Sequence, residues 1–327
     1  MINFSVIIPA YNRADLIGNS IKSLIDQTIS PEVYEILVCD NNSTDNTKEV
    51  VESFFENQRC VKVHYYQEKR QGVHYARNST ALKAKGNYLY FTDDDMIADS
   101  KMLEKFDRWI FKFPDLAVLG GKVSPKWETK PPNWIVQYFS NSTLSLLDKI
   151  EDVVLCKVDP GIASCHQLIR KDVFLEAGGF RPEYTKDEWL GDGECGLNRE
   201  ISKLGYSFGY FSNCITHHII PKARMCMRYI CKRYKNQGQA DAFTYYRQFR
   251  PTRRRLFKLT IKHTLESQLL KFIAYFMKLT MQSEWRLKKA SAALSAGFAR
   301  YTGKLYSNRK LRDMAVEKTY IDEPQNG

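Results

Sequence analysis

The sequence predicts an α/β protein: a mostly parallel sheet followed by a helical C-terminal extension. Short apolar runs typical of strands alternate with helical patterns in the N-terminal third of the chain. Polar clusters follow three of those runs, and from Pro221 onward the chain becomes basic with helical spacing. Alternating strands and helices are typical of βαβ units, whose strands pair in parallel.

The individual elements support this prediction in order. Phe4–Pro9 is a β-branched run ended by proline, as in a buried strand. The following elements are a helix at Asp15–Gln27, a strand at Tyr34–Asp40, a helix at Thr47–Phe55, a strand at Val61–Tyr66, a helix at Tyr75–Lys85 and a strand at Tyr88–Thr92. Gly86 is expected to cap the third helix. Because ligands lie beyond the carboxyl ends of parallel strands, Pro9–Asn12, Asp40 and Asp93–Asp95 are expected along one edge.

Composition and charge are those of an ordinary globular protein with anionic partners. The chain has 327 residues, 43% hydrophobic and 26% charged, which excludes collagen-like, disordered and coiled-coil classes. Lys and Arg exceed Asp and Glu by 49 − 37 = 12, which favours phosphates, nucleic acid or acidic lipid. Eight cysteines without metal-site spacing are interpreted as reduced thiols. With no apparent signal peptide or membrane span, we expect a cytoplasmic protein.

Asp93–Asp95 is the strongest local signal for chemistry. Adjacent carboxylates repel one another unless a cation or hydrogen-bond donors offset their charge. Magnesium and manganese are commonly held by one or two carboxylates together with substrate phosphates. The cluster would also suit the start of a helix, whose dipole favours acids. Its expected position on the same edge as Asp40 favours a metal–phosphate site.

The other two clusters are weaker signals. Asp40 either caps the next helix or accepts a hydrogen bond from a base amide or a ribose hydroxyl. The Pro9–Asn12 turn offers backbone groups and the ring of Tyr11, which is equally consistent with simple packing.

Together the motifs resemble glycosyltransferase family 2 in order and spacing. The matching segments are Ser5–Asn12, Val38–Asp45, Ala76–Asn78, Phe91–Asp95, Gly178–Phe180, Gly191–Glu194, Gly205–Tyr206 and His217–His218. The resemblance implies a GT-A fold and an inverting, nucleotide-sugar-dependent transferase. It assigns residues 1–99 to the nucleotide-sugar-binding half, 100–220 to the acceptor-binding half and 221–327 to a basic helical extension.

The resemblance also implies a donor site and a metal. Base and ribose would be held by Pro9, Ala10, Tyr11, Asn12 and Asp40. Arg77, Asp93 and Asp94 would complete the donor site, with Asp93 towards the ribose and Arg77 beside the base or diphosphate.

A divalent cation, Mn²⁺ or Mg²⁺, would be held by Asp95. The resemblance also places a histidine there, and the spacing favours His218 without excluding His217. Arg224, slightly further along the chain, would help to bind the diphosphate.

The catalytic base is expected in the Gly191–Glu194 segment. An acceptor hydroxyl becomes a good nucleophile when a positioned carboxylate takes its proton. Glu194 stands where the family has its base, an aspartate, but Gly193-Glu194 replaces the usual Glu-Asp, so Asp192 remains a rival. Glu194 would alternatively be a solvated acid at a helix start. Trp189 is the candidate platform for the acceptor sugar.

The C-terminal extension is expected either to contact a membrane or to pack on the catalytic domain. Lys222–Arg233 and Arg253–Lys258 are dense in basic residues, and an apolar stretch continues to Met281. Apolar residues on one side and Lys on the other suggest an interfacial helix at the inner face of the plasma membrane. The alternative is a packed helix with a solvated basic face. A sugar or a lipid-linked saccharide, in polysaccharide or glycolipid synthesis, is the expected acceptor.

Two other functions are less well supported. A nucleotidyltransferase would show a glycine- and basic-rich phosphate loop near the N-terminus, and Pro9–Arg13 contains no glycine. A nucleic-acid-binding protein is suggested by the net charge, but the basic excess gathers at the C-terminus while the expected pocket is acidic. No nucleic acid partner is therefore expected. An assay of salt-dependent DNA binding would distinguish a nucleic-acid-binding protein from a glycosyltransferase.

Overall fold

A computed structural model describes residues 2–181 and 193–315, apart from three side chains within helices. The strands are β1 (Phe4–Ala10), β2 (Tyr34–Asp40), β3 (Lys62–Gln67), β4 (Tyr88–Thr92), β5 (Met96–Ala98), β6 (Leu116–Trp127), β7 (Val153–Cys156), β8 (His166–Arg170) and β9 (Ser207–Ile220). The helices are α1 (Ile17–Ile25), α2 (Thr47–Glu52), α3 (Val73–Lys83), α4 (Met102–Lys112), α5 (Asn133–Phe139), α6 (Lys171–Glu176), α7 (Gly193–Lys203), α8 (Met227–Phe249), α9 (Arg253–Leu279), α10 (Trp285–Ser307) and α11 (Arg309–Met314).

All nine of these strands belong to one sheet. Its order is β3-β2-β1-β4-β8-β6-β9-β5, and β7 pairs with β9. The strands β3, β2, β1 and β4 run parallel, as their alternation with helices predicted. Beyond β4 the sheet is mixed, since β8 is antiparallel to β4 and β6, whereas β6 and β9 are parallel. The predicted α/β class with C-terminal helices is confirmed.

Helices cover both faces of the parallel part, and the core lies on both sides of it. Every residue of β1 and β2 is buried. Ile8 faces a cluster with α1, α2 and α4, whereas Ile7 faces a second cluster with α3, α6 and α7. Burial on both faces explains why these strands read as continuous apolar runs rather than as an alternating pattern.

The expectation that Gly86 caps α3 is wrong. The helix ends at Lys83, and Ala84 after it is already extended. Gly86 instead lies against β1, where a Cβ atom would come within 2.6 Å of the Ser5 backbone nitrogen. Its own N–H donates to Ser5 Oγ at 2.8 Å. Glycine is required here because the neighbouring backbone leaves no room for a side chain.

The C-terminal helices pack with α10 between α8 and α9. Gly238 and Gly297 line the contact of α8 with α10, and a Cβ atom on Gly297 would lie 1.9 Å from the Lys235 carbonyl oxygen. On the other side, Ser267 Oγ of α9 donates to the Ala292 carbonyl of α10 at 2.8 Å. Small residues therefore allow close approach of the backbones on both sides. Across the described ranges, no helix combines the length and the apolar character needed to cross a bilayer.

Candidate active site

A cavity of about 450 Å³ lies at the carboxyl ends of β1 and β4. Its wall includes Pro9, Ala10, Tyr11 and Arg13 after β1, Arg77 of α3, Asp93–Asp95 after β4, and His218 and Arg224 from β9 and the turn that follows it. The structure thus brings together two of the three polar clusters that the strand-end rule placed on one edge.

Each of the three aspartates after β4 is paired with a different arginine. The pairs are Asp93 Oδ1 with Arg77 Nη2 at 2.6 Å, Asp94 Oδ1 with Arg13 Nε at 3.2 Å, and Asp95 Oδ2 with Arg224 Nη2 at 2.8 Å. The arginines come from three separate parts of the chain. Their charges offset the mutual repulsion of adjacent carboxylates that makes such a cluster costly.

Asp95 and His218 form the candidate metal-binding part of the wall. His218 Nε2 lies 3.4 Å from Asp95 Oδ2, and Arg224 Nη1 lies 2.8 Å from the same His218 nitrogen. The other ring nitrogen of His218 is 2.8 Å from the Leu144 carbonyl oxygen, which leaves Nε2 facing the cavity. Burial alone would raise the pKa of Asp95, but its contact with His218 and the charge of Arg224 prevail and lower it to about 2.

The donor atoms fit a divalent cation. Carboxylate and imidazole suit Mn²⁺, and a carboxylate with substrate phosphates suits Mg²⁺. Arg224 supplies the positive charge between Asp95 and His218 in this structure. Among the side chains that the structure describes, no three His, Cys, Asp or Glu residues form a ready metal cluster, so further ligands would come from substrate or water.

The two histidines lie inside a strand, which separates their roles. Strand β9 runs from Ser207 to Ile220 and so contains both His217 and His218. Neighbouring side chains of a strand point to opposite faces. His218 is buried in the cavity wall, whereas His217 is not among the lining residues.

Asp94 differs electrostatically from its neighbour Asp95. Burial raises the pKa of Asp94 well above its usual value, the charge of Asp95 adds to this, and Arg13 offsets part of it. The pKa values of these two adjacent carboxyls are therefore shifted in opposite directions, and Asp95 ionises more readily than Asp94.

Asp40 and Asn12 lie beside the cavity rather than in its wall, and the neighbouring Asn41 lines it instead. Asp40 accepts hydrogen bonds from the Tyr65 hydroxyl at 2.6 Å and the Ser43 N–H at 2.9 Å. The N–H of Asn12 donates to Ser43 Oγ at 2.9 Å. Both residues therefore order the loop after β2, and their predicted contacts with the nucleotide stay predictions.

The candidate base segment is located through Gly193. Asp192 and Trp189 lie outside the described residues, and so does the side chain of Glu194, whose backbone is in the first turn of α7. A Cβ atom on Gly193 would lie 3.2 Å from His74 Nε2. His74 lines the first cavity and Gly193 a second one, so the segment begins where the two adjoin.

This second cavity has a volume of about 530 Å³. It shares Ser145, Ala163 and Arg233 with the first. Helix α8 lines it with Arg233, Tyr234, Gln237, Asp241 and Thr244. Burial raises the pKa of Asp241, which accepts a hydrogen bond from Gln237 Nε2 at 2.8 Å. Sequence analysis missed these α8 residues because nothing in their spacing distinguishes a cavity face from a solvated one.

His74 is a further residue that sequence analysis missed. Its ring stacks on Phe180 with centroids 5.2 Å apart. Burial, aided by the charge of Arg77, lowers the pKa of His74 to about 3, so the imidazole is neutral near pH 7. The preceding Gly72, with φ 141°, starts the helix that places it and was the available signal.

Residues 5–178 match the sequence profile of Glycosyl transferase family 2. The chain belongs to this family. This glycosyl transferase family 2 member is 27% identical over 217 residues to the glycosyltransferase AglE of Haloferax volcanii, covering 65% of the chain and 66% of the relative. It is 36% identical over 95 residues to the GalNAc(5)-diNAcBac-PP-undecaprenol beta-1,3-glucosyltransferase of Campylobacter jejuni, covering 29% of the chain and 30% of the relative. The chain thus spans less than two thirds of the length of either relative.

The fold of this family 2 member is similar to that of the mannosyltransferase PcManGT from Pyrobaculum calidifontis, solved in complex with GDP-Man and Mn²⁺. The TM-score is 0.56 at 18% identity, covering 96% of this chain and 83% of the other. The predicted GT-A fold and the predicted family are confirmed. Family membership decides against the nucleotidyltransferase alternative.

Proposed function

We propose that this family 2 enzyme transfers a hexose from a UDP-sugar to an acceptor hydroxyl, with inversion at the anomeric carbon. One observation carries the proposal. A cavity lined by arginines and aspartates adjoins a second, more neutral cavity, and the candidate base segment begins between them. Such an arrangement suits a charged donor, a hydroxyl-rich acceptor and a proton acceptor at their meeting point.

The first cavity would hold the donor. Arg77 is almost fully buried and is fixed by Ser164 Oγ at 2.8 Å and by Asp93, so its planar fork is preorganised for phosphate oxygens. Tyr11 exposes half of its surface at the cavity edge and offers a ring to the base.

Asp95 and His218 would hold the divalent cation, Mn²⁺ or Mg²⁺. Bound there, it would supply positive charge against the departing diphosphate. Arg224 holds a further positive charge on the same wall, where it stabilises Asp95 in the ionised form.

The second cavity would hold the acceptor. The phenol of Tyr234, the amide of Gln237 and the carboxyl of Asp241 offer hydrogen-bond partners to sugar hydroxyls. Glu194, or its rival Asp192, would take the proton from the attacking hydroxyl. A single displacement from the face opposite the leaving group inverts the anomeric carbon.

The name of one relative supports the proposed acceptor class. The name of the Campylobacter relative states a saccharide on a polyprenyl diphosphate as acceptor. This supports a lipid-linked or polymeric saccharide acceptor, in glycolipid or polysaccharide synthesis.

A thermal-shift panel of nucleotide sugars with Mn²⁺ or Mg²⁺ tests the donor. A ligand at 100 times its Kd stabilises the native state by about 2.7 kcal/mol, so one donor should stand out. Asp95→Ala should abolish metal-dependent donor hydrolysis. No stabilisation by any nucleotide sugar would refute the donor assignment.

The base is tested by Glu194→Gln, which should bind the donor and fail to transfer the sugar. Glu151→Gln, at an exposed glutamate, is the matched control and should transfer normally. Full transfer by Glu194→Gln would move the base to Asp192, whose Asp192→Asn variant should then be inactive.

A further inference from the structure

Helix α9 carries a long apolar surface that no other element of the described chain covers. Eight large apolar side chains on it are 44–67% exposed: Phe257, Ile261, Leu265, Leu269, Phe272, Tyr275, Phe276 and Leu279. We call these eight residues the outer face of α9. A contiguous apolar surface of this extent marks an interaction site on a protein.

The outer face lies along one side of the helix. At about 100° of rotation per residue, its eight side chains fall within an arc of about 120°. The outer face extends from Phe257, in the second turn, to Leu279, the last residue of a 27-residue helix that is about 40 Å long. It is therefore a shaped surface rather than a set of scattered apolar residues.

The opposite side of α9 is already occupied. Leu256, Ser267 and Ala274 are buried there, and Thr260 Oγ1 donates to Thr302 Oγ1 of α10 at 2.9 Å. The sequence predicted apolar residues on one side and Lys on the other. The structure shows two apolar faces instead, one packed on α10 and one uncovered.

Basic residues border the outer face on both sides. At the same rotation per residue, Lys262 lies just beyond one edge of the arc, and Lys271 and Lys278 lie beyond the other, whereas Arg254 and Lys258 fall within the arc at its N-terminal end. The helix carries seven Lys and Arg and one acidic residue, Glu266. An apolar arc flanked by lysines is the pattern of a helix that lies in the plane of an anionic lipid surface.

We infer that the outer face of α9 docks this protein onto an anionic bilayer surface, of the kind that the inner leaflet of a plasma membrane presents. Phe and Leu side chains enter the headgroup–acyl boundary while the bordering lysines contact lipid phosphates. A second copy of the chain fits less well, because two such helices side by side would bring lysine borders against lysine borders. The inference concerns binding alone and is independent of the proposed transfer reaction.

Vesicle flotation of the full chain tests the inference. Vesicles of phosphatidylcholine with and without phosphatidylglycerol are compared at low and high salt. The protein should float with the anionic vesicles at low salt, and Lys262→Gln with Lys271→Gln should weaken binding about fivefold per lysine. The triple change Leu265→Gln, Leu269→Gln and Phe272→Gln should weaken it at least about hundredfold.

Two controls make the outcome decisive. Phe111 of α4 is 90% exposed, so Phe111→Gln removes an equally exposed apolar side chain elsewhere and should leave flotation unchanged. Circular dichroism should show the same helix content in all variants, because the substituted side chains face away from α10. Equal vesicle binding by the triple variant and the wild type would overturn the inference. It would also be overturned if the protein did not float and instead formed a dimer that the triple variant dissociates, because the outer face would then bind a second copy of the chain.

Discussion

Arg224→Met is expected to destabilise the metal-free protein by about 3 kcal/mol. Asp95 is buried, and the Arg224 side chain that balances it is only 18% exposed. Removing one partner of a buried pair leaves an uncompensated charge, which costs about 3–5 kcal/mol, and the partial exposure of Arg224 favours the lower end. At about 2.1 cal/mol/K per residue over 327 residues, 3 kcal/mol lowers Tm by about 4 °C.

The loss of stability in Arg224→Met should depend on pH in a defined direction. The pKa of Asp95 is lowered to about 2, below an unfolded value of about 3.9. A depressed carboxyl pKa stabilises the native state above the unfolded pKa, and this contribution is lost as the pH falls through the folded pKa. The difference between wild type and Arg224→Met should therefore be full above about pH 4 and narrow towards pH 2.

Calorimetry in chelator and in Mn²⁺ provides the assay. Mn²⁺ should stabilise Arg224→Met more than wild type, because a bound cation restores positive charge beside Asp95. The control is Arg108→Met. The Arg108 side chain is 75% exposed, so the loss of its ion pair with half-buried Glu104 should cost no more than about 0.5 kcal/mol. Equal losses in the two variants, or a loss that ignores both pH and Mn²⁺, would refute the reasoning.

Three further outcomes are expected. Burial raises the pKa of Asp241, so ionisation of this carboxyl destabilises the native state as the pH rises above about 4. Asp241→Asn should therefore raise Tm at pH 7 but not below pH 4, and an equal rise at both pH values would contradict this explanation. Gly297→Ala places a Cβ atom 1.9 Å from the Lys235 carbonyl oxygen and should cost about 1–3 kcal/mol by urea unfolding, whereas an unchanged midpoint would show that the helices separate freely. Asn78 exchanges hydrogen bonds of 2.6 and 2.9 Å with the Phe180 backbone, so Asn78→Ala should cost about 2–4 kcal/mol and speed amide exchange at Phe180; unchanged exchange would place the loss elsewhere.

The parallel part of the sheet could be predicted because its physical cause is local. Strands buried on both faces must be apolar along their whole length, and Phe4–Pro9 and Tyr34–Asp40 show this directly. Helix boundaries were less accurate. Helix α3 starts at Val73 rather than Tyr75, because Gly72 adopts a positive φ and the helix begins directly after it.

The candidate site was predicted in part. Asp93–Asp95 and the turn at Pro9 share an edge because parallel strands end on the same side. The ion pairs that offset the charges of the aspartates were not predicted. They join Arg13 and Arg224 to aspartates that are about eighty and one hundred and thirty positions away along the chain. The second cavity depends likewise on how α8 packs against the sheet.

The sequence by itself determined the family, the alternation of strands and helices, and the residue types at the strand ends. Only the tertiary structure decided which cations balance those carboxylates, because charge pairing depends on distance in space rather than along the chain. It also decided which face of α9 is covered. Both faces are apolar, and the side with Ser267 and Ala274 packs on α10 because small side chains permit close approach, while Phe272 and its neighbours remain exposed.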